Sequence, residues 1–165
     1  MSQPYTLPAL ADIGHVHLKV SDLERSVAFY RDVLGFVVTA RYGTQAAFLS
    51  AGGYHHHLGL NTWESGGAGP PPQRATGLFH FAIRYPDRQA LAIALRRLVD
   101  AGVPLQGAAD HGVSHSIYLA DPDGNGIELT IDTPREQWHF RSDGALEMVT
   151  EPLDLQALLA LAAGD

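Results

Sequence analysis

The chain contains no cysteine among its 165 residues. That absence excludes a disulfide framework, thiolate metal ligands and a cysteine nucleophile, so any bound metal must be held by nitrogen and oxygen donors. Basic residues are also few, with 11 Lys and Arg against 18 Asp and Glu and a formal net charge of −7. Because no basic stripe is available to bind a phosphate backbone, we expect a small-molecule substrate and no nucleic-acid partner.

Long apolar runs are missing as well. No segment approaches the roughly 18 apolar residues of a membrane span. Residues 1–14 lack the basic region followed by an apolar run that marks a signal peptide. These features predict a cytoplasmic protein without a membrane partner. The hydrophobic content of 45% is nevertheless enough to build one packed domain of this length.

Two halves of the sequence resemble each other. Residues 14–20, GHVHLKV, open one half, and residues 78–84, LFHFAIR, open the other, which puts His15 in the position of His80. Each opening leads into an amphipathic stretch that ends in glycine, 20 residues after the histidine in the first half (15 to 35) and 22 in the second (80 to 102). Agreement in both residue type and spacing predicts an internal duplication.

Each half predicts the same order of elements, β-α-β-β-β. Period-2 alternation, a capping box at Ser21 and Glu24, and glycine turn signals set the boundaries. In the first half these are a strand at 12–20, a helix at 21–35, and strands near 36–42, 45–50 and 55–61. In the second half they are a strand near 78–84, a helix at about 86–101, and strands near 103–107, 114–120 and 126–132.

We therefore expect a single α+β domain, residues 1–165, in which two βαβββ modules form a cupped, partly closed mixed β-barrel. The modules are residues 12–61 and 77–132. Residues 62–76 are rich in Gly and Pro and predict a linker, and residues 133–165 predict a C-terminal extension with a strand at 145–150 and a helix at about 154–163. Since the linker is long enough for either arrangement, the modules pair within one chain or exchange with a second chain in a homodimer.

Strand alternation decides which side chains can meet on the inner face of the cup. The helix packs on the apolar side of each sheet, so His15, His17 and His80 point to the opposite face. The same counting places Glu128 and Tyr118 on that face, from the last two strands. Two imidazoles and one carboxylate with open positions are the ligand set of non-haem Fe(II) sites. We predict His15, His80 and Glu128 as metal ligands, with His17 as the alternative to His15.

A fourth ligand is missing from this set. Laying GNGIEL over HHHLGL puts Gly59 in the position of Glu128, so the first half supplies no carboxylate. The ion would keep positions open for water or substrate. Fe(II) is the expected ion and Mn(II) the next, with Zn(II) and Ni(II) as further alternatives.

Acid–base candidates lie close by. Alternation within the predicted strand 55–61 turns His55 and His57 inward and His56 towards the helix. We predict His57 as a proton donor or acceptor and Tyr118 as a donor to a substrate oxygen.

Three stretches resemble the vicinal oxygen chelate superfamily, which includes glyoxalase I, extradiol dioxygenases, fosfomycin-resistance transferases and bleomycin-binding proteins. They are GHVHLKVSDLERSVAFYRDVLGF, GLFHFAIRYPDRQALAIALRRLVDAG and SIYLADPDGNGIELTID. The resemblance covers about residues 12–132 and is greatest to the bacterial catechol 2,3-dioxygenase branch. It implies a glyoxalase-like fold and metal ligands at His15, His80 and Glu128.

Residues and resemblance together predict a metal-dependent extradiol-type dioxygenase that acts on a small, catechol-like aromatic diol. One alternative is a glyoxalase-type isomerase or lyase acting on a small carbonyl compound. A third hypothesis is a non-catalytic binding or resistance protein of the same fold, so catalysis itself stays open at this point.

Overall fold

Two βαβββ modules make up most of the chain in the computed structural model, which describes residues 4–72 and 74–162. The first contains β1 (Val16–Lys19), α1 (Leu23–Ala28), a π-helical segment (Phe29–Val33), β2 (Val37–Tyr42), β3 (Ala46–Ser50) and β4 (Leu58–Asn61). The second contains β5 (Phe81–Arg84), α2 (Arg88–Asp100), β6 (Leu105–Asp110), β7 (Ser114–Ala120) and β8 (Gly126–Asp132). The α+β class and the duplicated element order are confirmed.

The strands form two separate mixed sheets. Their orders are β1-β4-β3-β2 and β5-β8-β7-β6-β9, where β9 is Glu151–Pro152. In each module the first strand pairs in parallel with the last, and the remaining pairs are antiparallel. Within the described residues the strands do not join into a closed barrel, so each sheet keeps one open face.

Helices cover the other face of each sheet. Residues at alternate strand positions join the helices in one buried cluster, as the period-2 pattern predicted. In β8, Ile127 and Leu129 are fully buried whereas Glu128 between them is only partly so. Other members of the cluster are Leu18, Val20, Leu23, Val27, Leu91 and Leu95. Burying each of these aliphatic side chains contributes about 1.5–3 kcal/mol.

Helix α1 begins differently from the prediction. The capping box at Ser21 and Glu24 is wrong, because Asp22 is the N-cap and its side chain accepts from the Arg25 backbone N–H at 3.0 Å. Ser21 instead binds Asp123 of the second module, and Glu24 pairs with Arg41. Ser21 and Glu24 therefore bind partners that are distant in the sequence and do not form the capping box.

Both long helical stretches end at the predicted glycines. Gly35 has φ of 84° and Gly102 has φ of 66°, in the left-handed region that residues with a Cβ rarely adopt. The first stretch is not one regular helix, however, because it changes to π-helical geometry at Phe29.

The C-terminal extension closes the outer edge of the second sheet. The predicted helix is present as α3 (Leu155–Leu161), which buries Leu158. The predicted strand at 145–150 is wrong, since only a bridge between Phe140 and Leu146 forms there and β9 pairs with β6 further on. Across the described residues, no helix has the length and apolarity needed to cross a membrane.

The β7–β8 turn joins the two modules. Both of its aspartates bind residues of the first module. The buried Tyr30 hydroxyl donates to Asp121 at 2.9 Å. Asp123 accepts from the Ser21 backbone N–H at 3.1 Å and pairs with Arg25 at 2.5 Å.

Ionisation of these groups follows from their contacts. Burial opposes ionisation of Asp123, but the hydrogen bonds from Ser21 and the charge of Arg25 outweigh it and hold the pKa of this carboxyl below its usual range. Burial, together with the nearby Asp121 charge, raises the pKa of Tyr30. The junction therefore combines a neutral phenol with an ionised carboxylate at neutral pH.

We expect Asp123→Asn to lower the free energy of unfolding by about 1–3 kcal/mol at neutral pH, because hydrogen bonds to an ionised carboxylate are weakened. The folded-state pKa is depressed, so this stabilisation is present above the unfolded-state pKa of about 4 and is lost as the pH falls through the folded-state pKa. Urea unfolding at a series of pH values measures the difference, which should shrink in acid.

The matched control is Glu64→Gln, which removes only the exposed pair with Lys19. Its cost should stay below about 1 kcal/mol. A loss for Asp123→Asn that is equal at every pH would contradict the assignment of an ionised carboxylate at the junction.

Candidate functional site

Three of the predicted site residues meet on the open face of the second sheet. His80 directly precedes β5, and its Nε2 lies 3.0 Å from Glu128 Oε2. Tyr118 is the register partner of Glu128 on β7, and its hydroxyl lies 3.4 Å from Oε1. The rings of His80 and Tyr118 are 5.6 Å apart. The His80 side chain is 32% exposed and that of Glu128 13%, so the pair is accessible from the open face.

Gly126 allows His80 to come this close. A Cβ at this position would overlap the carbonyl oxygen of Phe79 and would lie 3.0 Å from the His80 Cβ. The backbone before β5 therefore rests directly on the start of β8.

We expect Gly126→Ala to lower the free energy of unfolding by about 1–3 kcal/mol, because the added methyl forces two backbone segments apart. It should also lengthen the His80–Glu128 distance in a crystal structure of the variant. The matched control is Gly107→Ala on β6, whose Cβ would make only an ordinary contact of 3.9 Å with Tyr118. An unchanged His80–Glu128 distance in the Gly126 variant would contradict this role.

His111, to which the sequence assigned no catalytic or metal-binding role, extends the cluster. Its Nε2 lies 2.7 Å from the Tyr118 hydroxyl, and its Nδ1 lies 2.7 Å from the backbone carbonyl oxygen of Val149. A carbonyl only accepts, so Nδ1 carries a proton and neutral His111 has a free lone pair on Nε2. Tyr118 then donates its single proton to His111, and the longer contact with Glu128 is secondary. No local sequence pattern connects Val149 with His111.

Tyr118 is neutral in this environment. Burial raises the pKa of its phenol, and the Glu128 carboxylate raises it further, while a contact with Ser116 acts in the opposite direction. Its proton is therefore available for donation at neutral pH.

We expect neutral His111 to be the Nδ1–H tautomer, which a two-bond ¹H–¹⁵N correlation spectrum detects directly. Because the Val149 carbonyl determines the tautomer, Tyr118→Phe should leave it unchanged. Observation of the Nε2–H tautomer in the wild-type protein would show that the Val149 contact is not formed.

The remaining predicted ligand, His15, lies in the first module. It is exposed, and its ring centroid is 4.6 Å from that of His56. His56 in turn contacts Phe48 and lies 2.7 Å from His55 between Nδ1 atoms. The prediction that His56 faces the helix is wrong, because β4 begins only at Leu58 and strand alternation does not apply before it.

His57 also lies in this loop. Its Nδ1 accepts from the Ala51 backbone N–H at 3.3 Å and lies 3.1 Å from the Ser50 hydroxyl, while its ring packs on Tyr54 at 4.9 Å. These partners all belong to the first module. The predicted acid–base role of His57 stays a prediction.

His17, the alternative ligand, packs over Gly59. A Cβ on Gly59 would lie 2.8 Å from the His17 ring, which also contacts Trp63. Burial lowers the pKa of His17, and the neighbouring His15 lowers it further. In the second module the equivalent pair is Ala82 and Glu128. The same space thus holds an imidazole in one module and a carboxylate in the other, which explains why a second acid is missing.

Two of the three predicted ligands of a divalent ion lie together. The imidazole of His80 and the carboxylate of Glu128 are suitable donors at a suitable separation. Among the described residues, however, no group of three His, Asp or Glu side chains lies close enough to hold a metal ion. A single chain in this conformation therefore offers an incomplete ligand set, with His15 on the other sheet.

Comparisons with known proteins identify one family. Residues 12–129 match the Glyoxalase/Bleomycin resistance protein/Dioxygenase superfamily. The chain is 45% identical over 154 residues to catechol-2,3-dioxygenase of Bacillus subtilis (strain 168), covering 93% of this chain and 52% of that protein. It is 34% identical over 132 residues to biphenyl-2,3-diol 1,2-dioxygenase 3 of Rhodococcus globerulus, covering 78% and 68%. The chain thus spans about half the length of the Bacillus protein.

A shorter relative is glutathione transferase FosA of Serratia marcescens, 31% identical over 122 residues, with 74% of this chain and 82% of that protein covered. Among solved structures, lactoylglutathione lyase from Agrobacterium tumefaciens superposes with a TM-score of 0.58 at 24% identity, over 76% of this chain and 96% of that one. A glyoxalase/dioxygenase from Nostoc punctiforme gives 0.63 at 21% identity, over 81% and 100%. At these identities the structural likeness concerns the fold alone.

Proposed function

Since the chain belongs to the glyoxalase/bleomycin resistance protein/dioxygenase superfamily, we propose that it catalyses extradiol-type ring cleavage of a small aromatic diol. The observation that carries the proposal is the His80–Glu128 pair with Tyr118 beside it, in a chain 45% identical to a protein named catechol-2,3-dioxygenase. Because only half of that relative is spanned, its activity transfers to this chain as a hypothesis.

The reaction needs no external reductant. The bond between one hydroxylated carbon and its neighbour without a hydroxyl breaks, and both atoms of dioxygen enter the ring-opened product. The substrate carbons supply all the electrons that reduce dioxygen. What the protein must provide is binding of the diol, removal of its protons and exclusion of side reactions.

Tyr118 and His111 form a proton relay suited to that task, in which Tyr118 accepts a proton from the substrate in place of the predicted donation to a substrate oxygen. A diol hydroxyl that gives its proton to the Tyr118 oxygen would drive the Tyr118 proton onto His111 Nε2, 2.7 Å away. The Val149 carbonyl keeps its hydrogen bond to Nδ1 throughout, so the imidazole need not turn. His57 is the proposed second acid or base.

A divalent ion, Fe(II) first and Mn(II) next, would be held by His15, His80 and Glu128. Such an ion would supply Lewis-acid chemistry that lowers the pKa of a diol hydroxyl. Within one chain only His80 and Glu128 lie together. Binding of the ion by all three ligands therefore requires His15 to approach this pair.

A thiol transferase is the second candidate, because the chain covers 82% of glutathione transferase FosA and only 52% of the catechol dioxygenase. The cationic side chains of β1 and β5 do not favour an anionic substrate, since Lys19 pairs with Glu64 and Arg84 with Asp132. The glyoxalase-type isomerase is supported less, because Gly59 stands where the first module would supply a carboxylate.

We expect metal-loaded wild-type protein to consume dioxygen with at least one catechol in an oxygen-electrode assay. Tyr118→Phe should lower kcat by about 10²–10⁴-fold, the usual cost of losing an acid–base group. Its metal content should stay unchanged. Tyr42→Phe, at a residue 71% exposed on β2, is the matched control and should keep full activity.

A panel of catechols, hydroxylated biphenyls and thiol acceptors separates the candidates. Dioxygen consumption with ring-opened product supports the dioxygenase. Thiol consumption without dioxygen uptake by the metal-loaded protein would contradict the dioxygenase and support the transferase.

A further inference from the structure

A cavity of about 380 Å³ opens on the helix side of the molecule, away from the open sheet faces. Residues 33–35 at the end of the first helical stretch, Tyr85 after β5 and one face of α2 line it. Tyr85 faces this side of its sheet, since it is half-buried and alternates with the exposed Arg84. The cavity therefore shares no residue with the His80–Glu128 pair.

We propose that this helix-side cavity binds a small carboxylic acid with an apolar body, whose carboxylate accepts hydrogen bonds from Arg97 and Tyr85. The inference does not rest on the proposed function, because no residue of the candidate functional site lines the cavity. It assigns a second ligand site to the chain, between a helical segment of the first module and α2 of the second.

The walls of the helix-side cavity are mainly apolar. Ala90, Ile93 and Ala94 are three and four residues apart and share one face of α2, and Arg97 follows on the same face. Ile93 is 42% exposed although α2 packs into the core. The two alanines leave space that larger side chains would fill, and the cavity volume is in the range of small-molecule pockets. The walls therefore suit the apolar body of a small ligand.

Arg97 is held in position by the first module. Its Nε donates to the Val33 carbonyl at 3.0 Å, and its Nη2 donates to the Asp32 carbonyl at 2.5 Å. A guanidinium carries five N–H groups, so these two bonds leave Nη1 available to a ligand. Because the side chain is already ordered, binding an anion costs little further conformational entropy.

Tyr85 supplies a second hydrogen-bond donor. Among the residues that the structure describes, its hydroxyl has no partner, and it is not one of the fully enclosed polar atoms. Burial raises the pKa of this phenol, although the charge of Arg97 acts in the opposite direction, so the two groups lie within electrostatic reach of each other. Tyr85 is thus neutral at neutral pH and keeps its proton for donation. One carboxylate can accept from both side chains.

The charges around the cavity favour an anion. No acidic side chain lines it. The Asp32 carboxylate pairs with Arg31, whose Nε and Nη2 lie 2.6 and 2.7 Å from its oxygens. Arg97 binds carbonyls and not carboxylates, so no ion pair within the described part of the chain balances its charge. Since the other walls are apolar, a carboxylate with an apolar body fits better than a strongly hydrated anion.

Calorimetric titration of the metal-loaded protein with hexanoate tests the inference. Hexanol lacks the charge and acetate lacks the apolar body, so each should bind at least about 10-fold more weakly than hexanoate. Ala90→Leu fills the cavity and should weaken hexanoate binding at least about 10-fold. Tyr85→Phe should weaken it about 10-fold, because a hydrogen bond to an ionised group is lost. The matched control Arg96→Met, beside Arg97 but outside the cavity, should leave the affinity unchanged.

Two further measurements locate the ligand. His80→Ala, which alters only the candidate metal pair, should bind hexanoate as the wild type does. In ¹H–¹⁵N spectra of the Zn(II)-loaded wild-type protein, hexanoate should shift the amides of Tyr85 and α2 and leave that of Glu128 in place. The spectra need no substitution, so they test the site even if Ala90→Leu fails to fold.

Several results would overturn the inference. They are equal affinities for hexanol and hexanoate, unchanged hexanoate binding in Ala90→Leu or Tyr85→Phe, and no hexanoate binding up to about 10 mM. Loss of binding in His80→Ala, or shifts confined to Glu128 and its neighbours, would place the carboxylate at the candidate metal pair instead.

Discussion

Asp121 and Asp123 in the β7–β8 turn accept hydrogen bonds from Tyr30, Ser21 and Arg25 across the module junction. The rest of the arrangement depends on these contacts, because they join the modules through helix α1 and one tight turn. Each sheet keeps one open face, and among the described strands β1 and β5 each have a neighbour on one side only. Asp123 is partly buried, and the hydrogen bonds from Ser21 and the ion pair with Arg25 offset the desolvation cost of its ionised carboxylate, so the contact tolerates little displacement. The junction thus determines how the two sheets lie relative to each other.

Parallel pairing of the first and last strand of each module determines which side chains lie at the candidate site. The registers His17 with Gly59 and Ala82 with Glu128 fill equivalent spaces from opposite strands. One module is left with imidazoles and the other with the carboxylate. The two modules therefore share one strand arrangement but present different side chains at equivalent positions.

Much of this could be predicted from the sequence, because strand alternation and helix-ending glycines are local properties. They placed His80, Glu128 and Tyr118 on one face correctly. The orientation of His56 was wrong, since the strand containing it begins later than its apolar pattern suggests. The role of His111 could not be predicted, because its orientation depends on the Val149 carbonyl, 38 residues away along the chain.

By itself the sequence determined the duplicated βαβββ order, the common face of His80 and Glu128, and the absence of an acid at Gly59. All three follow from periodicity and residue type over a few neighbouring positions. Only the tertiary structure decided that His80 and Glu128 meet while His15 remains on the other sheet. It also decided that Tyr118 donates to His111. Those relations depend on how two modules and a C-terminal extension pack, and packing between distant segments leaves no periodic signal in the chain.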